Sequence, residues 1–244
     1  MEARGALAGD AKLWWAALIA AVVGIVADVG LQYGLASLGF AASAWLIFGA
    51  LAEIVERTRL FRVPFTTFRA RLVAQPLSVW GSAVAHSGMG VTVAGIAGMS
   101  LAASTIVAVQ PGQSVQLGGY EWTLLALHDE VGPNYAARVA DIRVSRDGRE
   151  VVTFHPSRRT FTVQKTSVTD TAIETNGLRD LYAVLGEERD GAAVLRLHVN
   201  PLAPWIWLGA LVMAAGGMLS LADRRLRVGA PARRGAAVQA GVAP

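Results

Sequence analysis

The chain contains no cysteine in its 244 residues. That excludes disulfides, a CxxC redox pair, a zinc ribbon and a cysteine-ligated iron–sulfur cluster. Any part lying outside the cytoplasm must therefore be held by packing alone. Charge is also scarce: 16% of residues are Asp, Glu, Lys or Arg and 53% are hydrophobic. A soluble domain carries roughly 25% charged and 45–50% apolar residues. The deficit excludes disorder, a basic nucleic-acid-binding domain and an ordinary cytosolic enzyme. GxSxG, HExxH, Walker-type and strand-linked GxGxxG motifs are missing, so nothing points to hydrolysis or nucleotide binding. The charges that exist are unevenly placed. Residues 72–120, 49 in all, hold none. The run far exceeds the ~20 apolar residues that cross a bilayer, so the sequence reads as a membrane protein with one polar domain.

Four segments qualify as transmembrane helices: 13–30, 34–52, 79–104 and 202–222. The first starts at Leu13 after Lys12 and is about membrane length, which reads as a retained span and not a cleaved signal peptide. Trp14, Trp15, Trp205 and Trp207 suit an interfacial aromatic belt. The predicted organisation is a transmembrane hairpin (1–56), a cytoplasmic interfacial segment (57–78), a third span (79–104), a polar domain (105–200), a last span (201–223) and a basic tail (224–244). With alternating spans, residues 1–12, the 57–75 connection and the tail share one side. With the flanking Glu53, Glu56 and Asp223 they carry twelve bases and five acids, so that side is expected to be cytoplasmic. Both termini are then cytoplasmic, and the polar domain is periplasmic in a Gram-negative inner membrane. After Pro64, Phe65, Phe68 and Leu72 recur at helical spacing with Arg69 and Arg71 between them, which predicts a short helix lying on the membrane surface.

The polar domain reads as all-β. Runs at 120–127, 138–144, 150–154, 159–163 and 193–199 are rich in β-branched, aromatic and aliphatic residues. Turn signals separate them, Asp147-Gly148 being a two-residue hairpin signal. A sandwich or partly open barrel is expected, with a short helix near 169–174. Ten bases against twelve acids give the domain no bias towards nucleic acid.

One histidine stands apart. His86 lies in the uncharged run, roughly 10 Å into the third span, where an ionisable side chain is costly and suggests a site. Ser82, Ala83 and Gly90 are its small neighbours at helical spacing, followed by Ala94 and Ala97. They would give a flat ligand such as haem clearance to reach a neutral imidazole. Close helix packing with a cross-helix hydrogen bond explains the same residues equally well. His128, His155 and His198 share no metal-ligand spacing and are expected at the domain surface. Asp28, near the outer end of the first span, is expected to be structural or to reach interfacial water, in preference to a proton relay. Gly81, Gly88, Gly90, Gly95 and Gly98 read as packing glycines, and Trp205 and Trp207 as interfacial anchors.

Several stretches together resemble one family. They are Ala85-His86-Ser87-Gly88, Gly132-Pro-Asn-Tyr135, Gly177-Leu-Arg-Asp-Leu-Tyr-Ala-Val-Leu-Gly-Glu187, and Asn200-Pro-Leu-Ala-Pro-Trp-Ile-Trp-Leu-Gly-Ala210 followed by Asp223-Arg-Arg225. They are similar to the C-terminal part of CcmF, the membrane component of the cytochrome c maturation haem lyase. The resemblance implies participation in attaching haem to apocytochrome c, with haem received from the chaperone CcmE and apocytochrome handled by CcmH. It also implies a membrane-embedded haem b with two histidine ligands on different helices, one of which corresponds to His86. The family's tryptophan-rich haem platform and other ligating histidines belong to the part that would precede this chain. The chain is therefore expected to work with that N-terminal half and to be non-catalytic alone. Ser157 stands where the family usually has an acid. The competing expectation is a membrane scaffold whose β domain docks proteins while His86 only packs.

Overall fold

A computed structural model describes residues 2–31, 34–189 and 191–223. The described residues form five α-helices: α1 (Glu2–Leu31), α2 (Gly34–Thr58), α3 (Phe65–Val73), α4 (Leu77–Gly98) and α5 (Ala203–Leu221). Among the described residues, three helical stretches are long and apolar enough to cross a membrane: Gly34–Thr58, Leu77–Leu101 and Ala203–Leu221. The expected first span falls in the shorter apolar stretch Trp14–Gly30. The link at 32–33 and the tail at 224–244 lie outside the described residues.

The helices form a row in which α1 packs on α2, α2 on α4 and α4 on α5. Ser37 Oγ donates to Asp28 Oδ1 at 3.2 Å, so the acid of the first apolar stretch bonds to its neighbour helix. Helix α2 runs six residues beyond its expected end. The Arg57–Glu53 pair at 2.8 Å bridges one turn there, and Thr58 Oγ1 donates to the Ile54 carbonyl at 2.8 Å. Helix α4 stops earlier than expected, passing through a 3₁₀ turn (Met99–Leu101) into a strand at Ala103. The charge-free run therefore contains both a helix and the start of a sheet.

Ten strands follow: β1 (Ala103–Val109), β2 (Ser114–Leu117), β3 (Tyr120–Val131), β4 (Tyr135–Arg146), β5 (Arg149–Phe154), β6 (Ser157–Phe161), β7 (Ser167–Asp170), β8 (Ala172–Thr175), β9 (Arg179–Arg189) and β10 (Ala192–Pro201). One sheet has the order β1-β10-β9-β8; the other runs β2-β3-β4-β6-β7, with β5 also on β4. The expected helix near 169–174 is replaced by β7 and β8, which join different sheets. The β-branched residues Val168, Thr169, Ile173 and Thr175 favour extended backbone over helix at those positions.

Period-2 alternation builds the core between the sheets. Leu181, Ala183 and Leu185 of β9 and Leu195, Leu197 and Val199 of β10 meet Trp122, Leu124, Ile142, Val144 and Phe154. Two tight hairpins set the register. At Asp147-Gly148, φ is 52° and 74°, and at Gly118-Gly119 it is 60° and 78°. Positive φ at both central residues matches the strand twist. Arg179, 8% exposed, donates to the Tyr120 hydroxyl at 2.7 Å and pairs with Glu174. Its charge is thus satisfied where burial would otherwise be costly.

Candidate functional site

Helix α4 lies between two neighbours, and its small residues explain how. The row Gly81, Gly88 and Gly95 repeats every seven residues and faces α5. A Cβ on Gly88 would lie 2.6 Å from the Met213 nitrogen and 2.8 Å from the Gly209 carbonyl oxygen. Likewise, a Cβ on Gly216 would lie 2.5 Å from the Ala85 nitrogen and 2.7 Å from the Gly81 oxygen. The two backbones touch, as small residues permit in membrane helices. A second heptad row, Ala83, Gly90 and Ala97, faces α2. At about 100° per residue the two rows lie roughly 200° apart, so α4 is clasped from opposite sides.

Ser82, His86, Met89, Val93 and Ile96 lie between these rows. His86 is exposed, as are Met89 (45%) and Ile96 (58%). The His86 Nδ1 lies 2.8 Å from the carbonyl oxygen of Ser82. A carbonyl only accepts, so Nδ1 carries the proton and Nε2 keeps its lone pair. A backbone carbonyl on the non-ligating nitrogen is the usual second partner of a ligating histidine. The donor chemistry therefore fits a haem-iron ligand that would bind through Nε2.

The other expected neighbours divide. Ser82 orients the ring through its main chain, and its hydroxyl lies 3.4 Å from the same Nδ1. Gly90 and Ala83 do not border the uncovered face. A Cβ on Gly90 would lie 2.6 Å from Ile47 Cγ1 and 2.9 Å from the Ser43 oxygen, and Ala83 packs with Ala50 and Ile54. Their clearance is taken up by α2, because position i+4 is rotated about 40° from His86 towards that helix. Ala94 and Ala97 are also buried.

The ends of the α4–α5 pair are tied. The Ser78 backbone N–H, in the first turn of α4, donates to Asp223 Oδ2 at 3.0 Å. Asp223 is buried and follows the last turn of α5, so it serves as a cap supplied from another helix. Sequence reasoning missed this bond; an acid directly after an apolar span was the available signal. At the opposite end Trp205 Nε1 donates to the Gly177 carbonyl at 2.8 Å, and the Leu202 N–H donates to the Leu178 carbonyl at 2.8 Å. Trp205 is thus a latch to the β domain as well as an aromatic at the end of a helix, whereas Trp207 is 76% exposed.

In the β domain, His128 Nδ1 lies 3.4 Å from Asp141 Oδ2 and His155 Nδ1 lies 2.7 Å from Asp141 Oδ1. Both rings are exposed, and one carboxylate brings together two histidines 27 positions apart in sequence. Among the described residues no group of three or more His, Asp or Glu is arranged to hold a metal. His198 is half-buried and edge-on to Tyr182 at 5.3 Å; burial, then Arg196, lowers its pKa below the ordinary 6.5. Arg158 and Arg159, beside His155 in sequence, pair with Glu187 at 3.2 Å and Asp170 at 2.6 Å.

Comparison with known proteins gives a consistent result. Residues 100–201 match the family described as the CcmF C-terminal beta-sandwich. The cytochrome c-type biogenesis protein CycK of Bradyrhizobium diazoefficiens is 41% identical over 199 residues, covering 81% of this chain and 30% of its own length. CycK of Rhizobium meliloti is 40% identical over 238 residues, 94% of this chain and 35% of the relative. CcmF of Pseudomonas aeruginosa is 39% identical over 191 residues, 78% of this chain and 28% of the relative. A solved structure titled Cytochrome c Heme Lyase CcmF shares the fold with a TM-score of 0.67 at 20% identity, over 86% of this chain and 34% of that one. The chain spans about a third of the length of these relatives.

Proposed function

We propose a haem-ligating role in cytochrome c biogenesis for this chain, which is the counterpart of the C-terminal part of CcmF. It is the C-terminal portion of a haem lyase assembly that attaches haem to apocytochrome c. His86 would hold a haem b within the membrane through Nε2, with Ser82 fixing the tautomer that leaves that nitrogen available. A second histidine would come from the N-terminal half of the same family, packed on the uncovered face of α4. The haem would supply one-electron redox chemistry. This chain's residues would hold and orient the imidazole. CcmE, CcmH and apocytochrome c are the expected partners on the side of the β domain. That side is periplasmic, with both termini in the cytoplasm of an inner-membrane protein.

The observation that carries this reading is His86: an imidazole on an otherwise uncharged helix, exposed, with Nδ1 engaged by its own backbone at 2.8 Å. The test is the absorbance of the assembly purified with the N-terminal half. His86→Ala is expected to abolish or strongly shift the Soret band while the protein still assembles. Unchanged haem absorbance in that variant would mean that His86 only packs.

A further inference from the structure

With α2 and α4 both crossing the membrane, the chain from the end of α2 at Thr58 to the start of α4 at Leu77 would stay at one membrane surface. It does so with an unusual surface of its own. No Asp or Glu occurs from Arg57 to Tyr120, yet Arg57, Arg59, Arg62, Arg69 and Arg71 fall in this segment. Arg57 pairs with Glu53. Arg59, Arg62, Arg69 and Arg71 have no carboxylate partner among the described residues. Arg59 and Phe61 hold positive φ, 54° and 68°, a costly conformation for non-glycine residues. The turn they form leaves Phe61 90% exposed.

Helix α3 continues the pattern. Leu72 packs against the Ala50–Ile54–Ala83 cluster and anchors one side. Phe65, Thr66, Arg69, Ala70, Val73 and Ala74, along the rest of the helix, line an open depression of about 610 Å³. Phe65 is 72% and Val73 80% exposed there. A depression with apolar walls, one unpaired guanidinium and no acid suits a ligand with an apolar body and an anionic head.

We propose that α3 binds an anionic phospholipid of the leaflet in which α2 and α4 end, with Arg69 at the headgroup phosphate and Phe65, Ala70 and Val73 along the glycerol and upper acyl chain. Arg59 and Arg62 add attraction without defining the site. The inference rests on the membrane placement of α2 and α4 and is independent of haem ligation. Each basic side chain near an anionic surface contributes about fivefold in affinity.

The experiment is native mass spectrometry of the full chain in detergent, titrated with phosphatidylglycerol or phosphatidylcholine. Phosphatidylglycerol should bind at least about fivefold more tightly. Arg69→Gln should remove that preference and Arg69→Lys should keep most of it, because a point charge suffices for a phosphate. Arg149→Gln, on the β domain, should leave it unchanged. Equal binding of the two lipids, or a preference that survives Arg69→Gln, overturns the proposal. Full competition by inorganic phosphate also overturns it, since a free anion would then satisfy the site. A chain that stays soluble without detergent would instead refute the membrane placement.

Discussion

Gly216 and Gly217 are adjacent in α5 and should respond oppositely to the same substitution. A Cβ on Gly216 would lie 2.5 Å from the Ala85 nitrogen, 2.7 Å from the Gly81 oxygen and 2.9 Å from the Ala85 Cα. All three are backbone atoms of α4 and cannot rotate aside. Ordinary contact needs about 3.5–4.0 Å, so the helices must separate by on the order of 1 Å. Overpacking of this kind costs about 1–3 kcal/mol. A Cβ on Gly217 meets nothing within 4 Å. Alanine there costs no packing and gains roughly 0.5–1 kcal/mol from reduced backbone freedom. Gly216→Ala is thus expected to be destabilising, Gly217→Ala neutral to stabilising, and the pair to differ by roughly 1.5–4 kcal/mol. Reversible unfolding in mixed micelles, followed by tryptophan fluorescence, measures that difference. Equal stabilities, or Gly217→Ala as the worse variant, would refute the face assignment of α5. The position of α4 between α5 and α2 would then also be wrong.

Two further predictions concern the ties around this pair. Asp223→Ala removes the acceptor of the Ser78 N–H and should cost about 0.5–2 kcal/mol of stability, whereas Asp223→Asn keeps a capping oxygen and should recover most of it; the same micelle unfolding reports both. His198 has a lowered pKa in the folded chain, so the unfolded chain takes up a proton first as pH falls below the ordinary value of about 6.5. Stability should therefore decline across that window, and His198→Gln should flatten the decline when unfolding is compared between about pH 8 and pH 5.

The features legible in the sequence were those that local chemistry dictates. His86 stood out because it is ionisable in a long uncharged run. The two-residue hairpin at Asp147-Gly148 was legible because residues that tolerate positive φ sat between alternating runs. The start of the sheet was not, because β1 lies in the same charge-free stretch as α4 and hydropathy does not mark their boundary. Strands β7 and β8 were obscured by short, polar, exposed segments in which a helix and a strand leave similar traces. The fate of Gly90 was illegible for a different reason. Periodicity places it near His86, but only the neighbour α2 decides whether the space beside it is open, and Ile47 fills it. The bond from Ser78 to Asp223 spans 145 residues and exists only once α4 and α5 lie side by side.

The two junctions between the β domain and the helices have a mechanical consequence. One residue, Ala102, separates the 3₁₀ turn after α4 from β1, and one residue, Leu202, separates β10 from α5. Strands β1 and β10 are themselves paired, Ala103 opposite Val199, and Trp205 is bonded across to Gly177. Neither junction contains a connecting loop. Joins this short are expected to pass a force applied at the rim of the sandwich into α4 as a tilt. That tilt would be delivered to the His86 imidazole as a change in its depth and angle.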